Sequence, residues 1–283
     1  MSTPESTTRR AEAPATLAGV LQIGGELTVN RLGFGAMRLP GARGGDARGG
    51  NRLLHRAIEL GVNFLDTAHA YGHSEQLIGE ALYPYPDDLV IATKAGLERG
   101  DADGRPDTIR RHAERSLQVL RLERLDLLQL HTIDPRVPLE DSIGAMVELQ
   151  KEGKVRMIGV SNFGLAELER ARTIAEIVSV QNRYSVGDRR SEDVLDICER
   201  EGIAFLPWFP LGAGGLASDR ELASVGKAHG ATAVQVALAW LLLRSPLMLP
   251  IPGTSRLNHL EEDVAAAGLR LSEEEFRRLG EMP

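Results

Sequence analysis

From residue 16 onward, short apolar runs of four to seven residues alternate with stretches whose apolar residues recur at helical spacing. TLAGVLQIGGELTV (16–29) reads as a β-hairpin turning at Gly24-Gly25. Strand candidates follow at 32–37, 63–66, 89–94 and 125–131, then at 155–161, 177–182, 203–208 and 247–253. Between them, 51–60, 74–82, 107–121, 139–152, 165–175, 191–201 and 220–244 are amphipathic, and a last helix is expected over 272–280. IRRHAERSLQVLRL (109–122) shows the pattern well, with arginines opposite the apolar positions. Strands apolar on both faces and joined by helices predict a parallel sheet. Eight of them in 283 residues predict an α/β fold, a closed (β/α)8 TIM barrel with an N-terminal β-hairpin and a C-terminal helix. An open doubly wound sheet is the alternative. Residues 16–283 then form one domain, and MSTPESTTRRAEAPA (1–15), which has no apolar h-region, is expected to be a disordered tail.

Composition narrows the classes of function. No apolar run is long enough to span a bilayer. Cys198 is the single cysteine, so neither an intrachain disulfide nor a cysteine-rich metal site is expected, and the default location is cytoplasmic. In EDVLDICEREG that thiol sits among apolar helix positions and is expected to be buried and inert. The net charge of −7 argues against a general nucleic-acid binder, while leaving room for one phosphate-bearing ligand. Four of the 33 basic residues are lysines, so a lysine closing a buried strand is informative.

Chemistry in (β/α)8 barrels gathers at the C-terminal strand ends. Here those ends carry Asp66, Lys94, His131, Ser161-Asn162, Gln181-Asn182, Trp208 and Gly253, with Tyr71 five residues after Asp66. Singly each has an ordinary reading: an Asp caps a turn, a His satisfies a local partner, a Tyr covers a loop. A carboxylate, an ammonium and an imidazole on consecutive strand ends fit that reading poorly. A free phenol has a pKa of about 10. A nearby ammonium such as Lys94 lowers it, Asp66 offsets the cost of burying that ammonium, and His131 can donate to a carbonyl oxygen. The set suits general acid catalysis by Tyr71. Asp66 and His131 supply at most two metal ligands, and no HExxH spacing occurs, so no metal is expected.

The chain after residue 16 resembles the aldo-keto reductase superfamily. LGFGAM, GVNFLDTAHAYG, EGKVRMIGVSNF, VQNRYS and IPGTSR…HLEED are similar to its motifs, in its order. The resemblance implies a (β/α)8 barrel that reduces a small-molecule carbonyl compound with NADPH, with Tyr71, Asp66, Lys94 and His131 as a catalytic tetrad. It places Ser161, Asn162 and Gln181 at the nicotinamide carboxamide and Trp208 against the nicotinamide ring. Leu211 and Gly212, in PLGAGGL, approach the pyrophosphate. At the adenosine end it implies Gly253, Thr254, Ser255, Arg256, His259, Glu262 and Asp263. Relatives often carry lysine, arginine and asparagine at 253, 259 and 263, which leaves the strength of the NADPH preference open. Gly212, Gly214 and Ala217 also fit G-x-G-x-x-A, but Pro207 and Pro210 make a poor strand and turn for a Rossmann site.

ARTIAEIVSVQNRYS most resembles a bacterial branch that includes pyridoxal reductases, making pyridoxal an expected substrate beside other aldehydes and ketones. Phe34, Met37, Phe163, Tyr184 and Phe209 are candidate apolar pocket walls or core residues. The loop TIDPRVP after His131 is short, and PGARGGDARGG (40–50) is expected to be a flexible loop at the mouth. A second class within the superfamily, cofactor-binding regulatory subunits of membrane channels, would share the tetrad. The sequence shows no partner-binding extension or exposed apolar stripe for that role.

Overall fold

The computed structural model describes residues 13–282. Residues 1–12 of the expected tail lie outside that range, whereas at 13–15 the chain is already packed. Ala13 and Ala15 are buried, and Pro14–Ala18 forms a 3-10 turn. β1 (Val20–Ile23) and β2 (Leu27–Asn30) pair antiparallel, as expected. Their turn residues Gly24 and Gly25 have φ of 57° and 72°, left-handed values that glycine adopts without a Cβ penalty.

The remaining strands are β3 (Phe34–Gly35), β4 (Phe64–Asp66), β5 (Val90–Ala95), β6 (Leu97–Glu98), β7 (Asp101–Ala102), β8 (Leu125–Leu130), β9 (Val155–Ser161), β10 (Ile177–Arg183) and β11 (Ala204–Trp208). Seven form a parallel sheet in the order β11-β10-β9-β8-β5-β4-β3. β6 and β7 are an unforeseen small hairpin after β5. The eighth expected strand, 247–253, is extended but makes only one bridge, Met248 to Phe205. Pro250 and Pro252 lack the N–H that a ladder needs. The segment closes the barrel all the same. Leu249 N donates to Phe205 O on one side (2.9 Å), and Gly33 N and Gly35 N donate to Pro250 O (2.9 Å) and Pro252 O (3.0 Å) on the other. The seam is tight: a Cβ at Gly253 would stand 2.5 Å from Gly35 O. The architecture is the (β/α)8 barrel.

Helices cover Ala47–Glu59, Ser74–Leu82, Pro106–Leu120, Leu139–Lys151, Leu165–Arg172, Glu192–Glu201, Arg220–His229, Ala233–Arg244, Leu257–Ala265 and Glu273–Gly280. Two expectations change. The stretch 220–244 is two helices, because Gly230 ends the first in a left-handed conformation and Thr232 caps the second in a capping box with Gln235. In 40–50, only the first part is loop. Asp46 accepts from Gly49 N (2.9 Å) and starts a helix at Ala47.

Strand alternation explains how the mouth is furnished. Phe64, Ala92, Leu127, Met157, Leu206 and Ile251 belong to the apolar cluster inside the barrel, which the β1–β2 hairpin plugs from below with Leu21, Ile23, Leu27 and Val29. A period of two then puts Asp66, Lys94, Gln129, Ser161, Trp208 and Gly253 on that inner side, nearer the mouth. In β10 a register shift between Ile177 and Ser179 resets the phase, so that Gln181 joins them after Val178.

Candidate active site

At the C-terminal end of the barrel lies a cavity of about 1220 Å³, larger than a typical small-molecule pocket. Its wall includes Asp66, Tyr71, His131, Ser161, Asn162, Gln181 and Trp208 on one side. Leu211, Gly253, Thr254, Ser255, Arg256, His259, Glu262 and Asp263 continue it. Gly212 is the one expected ligand contact outside this wall, although its neighbours Leu211 and Gly214 line it.

Beneath the wall, the Lys94 side chain is fully buried and Asp66 nearly so. Lys94 Nζ donates to Asp66 Oδ1 (2.8 Å) and Oδ2 (2.7 Å) and to Thr67 O (2.8 Å). Asp66 Oδ1 also accepts from Gln181 Nε2 at 2.7 Å and from Gln129 Nε2 at 3.5 Å. Burial opposes the Lys94 charge, but Asp66 and then Tyr71 outweigh it, and the ammonium is held above its ordinary pKa. Gln129 was not foreseen. It shares the inward phase of Asp66 and Lys94, and that phase was the signal that could have found it.

Tyr71 sits on the turn between β4 and the helix Ser74–Leu82. His69 N donates to Lys94 O (3.2 Å), Thr67 Oγ1 to Ser74 Oγ (3.0 Å) and Ser74 Oγ to Ala36 O (3.0 Å), so the turn is tied to both flanking strands. The Tyr71 ring stands edge-on to His131, with centroids 5.7 Å apart, and its centre is 5.0 Å from Lys94 Nζ. Burial raises the Tyr71 pKa above 10 and wins over the opposing pull of Lys94. The sequence reading, in which the ammonium lowers that pKa, is correct in the sign of Lys94's effect but omits the larger one. Tyr71 is therefore a protonated phenol around neutral pH. His131 is pushed down to about 3 by burial and by Lys94, so its imidazole is neutral. Its Nδ1 is buried without a partner, which leaves Nε2 as the nitrogen available to a ligand.

Other expected contacts are partly engaged within the protein. Asn162, at φ 62°, donates to His131 O (3.0 Å) and Ser161 Oγ (3.2 Å) and accepts from Trp208 Nε1 (3.0 Å). These bonds link the ends of three strands into a rigid rim. Of the five candidate apolar walls, only Met37 and Phe209 line the cavity. Phe34, Phe163 and Tyr184 are core, each no more than 1% exposed. Beyond His131, the loop 132–138 adds nothing to the wall, whereas the β6–β7 hairpin contributes Leu97, Arg99 and Gly100. Cys198 is fully buried and its thiol is pushed up to about 12, as expected of an inert residue.

The far end of the cavity fits a phosphate-bearing dinucleotide. The helix Leu257–Ala265 begins there with no side-chain cap on its first N–H groups, next to the Arg256 guanidinium. Gly212 and Gly214 adopt left-handed φ of 56° and 97°, bringing bare backbone close to the wall. Asp263 is 5% exposed, and burial, then the charge of Glu262, lifts it from 3.8 to about 7. Because its folded pKa exceeds its unfolded one, ionisation destabilises the fold. That penalty is absent below about pH 4, grows as pH rises, and is complete above about pH 7. Asp263→Asn is thus expected to stabilise the protein at pH 8, on the order of 2–4 kcal/mol, and progressively less toward pH 4. Thermal melts of both proteins at pH 5 and pH 8 check this, and an equal gap at the two pH values would contradict it.

Residues 31–282 match the Aldo/keto reductase family, and the chain belongs to it. It is 43% identical to pyridoxine 4-dehydrogenase of Escherichia coli over 267 residues, covering 88% of this chain and 93% of that protein. An uncharacterized oxidoreductase of Schizosaccharomyces pombe is also 43% identical, over 94% of this chain and 90% of its own length. Among solved structures, an aldo-keto reductase of Klebsiella pneumoniae in complex with NADPH superposes with a TM-score of 0.82 at 26% identity, covering 92% of this chain and 93% of that one. Among the described residues, no helix is long and apolar enough to cross a membrane.

Proposed function

We propose that this protein reduces an aldehyde or ketone to the alcohol with NADPH, using Tyr71 as general acid. The observation that carries the reading is the buried Asp66–Lys94 pair set beside a protonated Tyr71 and a neutral His131 on one cavity wall. NADPH supplies a hydride to the carbonyl carbon. His131 Nε2–H donates to the carbonyl oxygen, orienting and polarising it. As negative charge develops on that oxygen, Tyr71 passes it the phenolic proton, and the Lys94 ammonium stabilises the phenolate left behind. Asp66 keeps Lys94 charged in a site that excludes water, and Gln181 and Gln129 hold Asp66 in place.

Ser161, Asn162 and Gln181 would hold the nicotinamide carboxamide, with Trp208 offering its ring to the nicotinamide. Leu211, with Gly214 beside it on the wall, would approach the pyrophosphate, and Gly212 would support that backbone from outside the wall. Gly253, Thr254, Ser255, Arg256, His259, Glu262 and Asp263 would take the adenosine end, with Arg256 able to bind a 2′-phosphate. Gly253 serves through its backbone, since the seam against Gly35 leaves no room for a side chain. The identity to pyridoxine 4-dehydrogenase supports pyridoxal as the first substrate to try.

The test follows loss of reduced-nicotinamide absorbance with NADPH and, separately, NADH, using pyridoxal and a panel of simple aldehydes. NADPH-dependent turnover is expected. Arg256→Ala should weaken NADPH binding about tenfold and NADH binding much less. Oxidation with other aldehydes but not pyridoxal would keep the reductase and discard that substrate. Tight NADPH binding with no turnover of any carbonyl would favour a regulatory subunit instead.

A further inference from the structure

On the Tyr71 side the cavity wall includes three arginines, while the carboxylates that flank Arg99 in the hairpin, Glu98 and Asp101, do not line it, and Glu98 is paired with Arg111. Arg38 ends the 3-10 turn that follows β3, Arg43 lies in the loop 40–46, and Arg99 is at the tip of the β6–β7 hairpin. Among the described residues, none of the three takes part in an ion pair or side-chain hydrogen bond, although acidic residues outnumber basic ones in the chain as a whole. The carboxylates in the cavity wall are elsewhere. Asp66 is bound to Lys94, and Glu262 and Asp263 belong to the helix Leu257–Ala265 at the opposite end.

One further observation places Arg43 at the reacting end, and a second singles out Arg99. The backbone holds Arg43 beside the tyrosine turn: His73 N donates to Ala42 O (2.7 Å), and a Cβ on Gly72 would be 3.7 Å from Arg43 Cγ. Arg43 is also one of the charges that favour ionisation of the Tyr71 phenol. Arg99 occupies the first position of a two-residue hairpin turn, with φ 52°, followed by Gly100 at φ 92°. That left-handed position suits asparagine or glycine, and an arginine there carries a backbone cost with no compensating contact to its guanidinium. Strain of this kind at the rim of a reactive cavity points to a side chain kept for a ligand.

We infer that the carbonyl substrate carries an anionic group, a carboxylate or a phosphate, which Arg38, Arg43 and Arg99 receive while its carbonyl faces Tyr71 and His131. This rests on the reductase reading above. Three arginines from three segments lining one cavity form a cationic rim suited to an anionic oxygen cluster, which guanidinium groups bind by charge-assisted hydrogen bonds. Because the rim is solvated, its attraction is screened by salt.

Two matched pairs test it at saturating NADPH: 4-carboxybenzaldehyde against its methyl ester, and pyridoxal 5′-phosphate against pyridoxal. The anionic member of at least one pair should show a kcat/KM about tenfold higher, mostly through KM, with the advantage shrinking as sodium chloride is raised. The pair that shows it identifies carboxylate or phosphate as the group recognised. In the triple variant Arg38→Gln, Arg43→Gln, Arg99→Gln the ratio should fall toward one. If the wild type reduces both members of each pair with ratios near or below one, or if the variant keeps the wild-type ratio, the anionic assignment is wrong and the reductase stands. If neither member of either pair is reduced while simple uncharged aldehydes are, the anionic assignment is wrong and the reductase stands; if no carbonyl compound at all is reduced, the reductase reading itself fails.

Discussion

Tyr71→Phe is expected to lower carbonyl reduction by about 10²- to 10⁴-fold while leaving the fold and the binding of NADPH intact. The substitution removes one oxygen atom. The ring stays edge-on to His131, and the turn that carries it is held by Thr67, His69 and Ser74 rather than by the phenol. What is lost is the proton. The raised pKa of Tyr71 means that the phenol is almost wholly protonated at neutral pH. Reduction by the wild type should therefore be insensitive to pH around neutrality and fall only as alkaline pH ionises the phenol. In the proposed mechanism, Lys94 makes that proton transferable by stabilising the phenolate as it forms. Steady-state rates from pH 6 to 10, with cofactor titrations of both proteins, check the prediction. Full activity in Tyr71→Phe would remove Tyr71 from the acid role.

The second large effect is on stability and activity together. Lys94→Met should destabilise the protein by about 3–5 kcal/mol, a fall in Tm on the order of 10 °C, and abolish turnover. Methionine fills much of the lysine's volume but leaves the Asp66 carboxylate buried with only the Gln181 and Gln129 amides as donors, and Thr67 O without its partner. The damage comes from the uncompensated charge. The double variant Asp66→Asn, Lys94→Met should accordingly lose less stability than the two single losses added together. Thermal melts of the three variants decide it, and simple additivity would show that the two groups do not form the pair described.

Much of the site was legible because a strand has period two. Once Phe64 and Ala92 lie inside the barrel, Asp66 and Lys94 must lie inside as well, at the mouth. Parallel, doubly apolar strands joined by helices announced the barrel, and the polar residues at the strand ends pointed to where a site would gather. Where the expectation fell short, a nonlocal contact decided. The segment 247–253 closes the barrel because its carbonyl oxygens accept from N–H groups of both neighbours, although two prolines deny it a strand's ladder. Phe34, Phe163 and Tyr184 have the same apolar character as Met37 and Phe209, and only packing tells wall from core. The β6–β7 hairpin, with two residues per strand, is too short to leave a periodic signal.

By itself, then, the amino-acid sequence determined the barrel and placed Asp66, Tyr71, Lys94 and His131 at or just after its strand ends, because these follow from local periodicity and residue chemistry. The tertiary structure decided the direction in which Tyr71, His131 and Asp263 depart from their ordinary pKa values, which depends on how completely water is excluded around each group. It also decided which arginines reach the rim. Both are set by neighbours distant in sequence, and no local pattern encodes them.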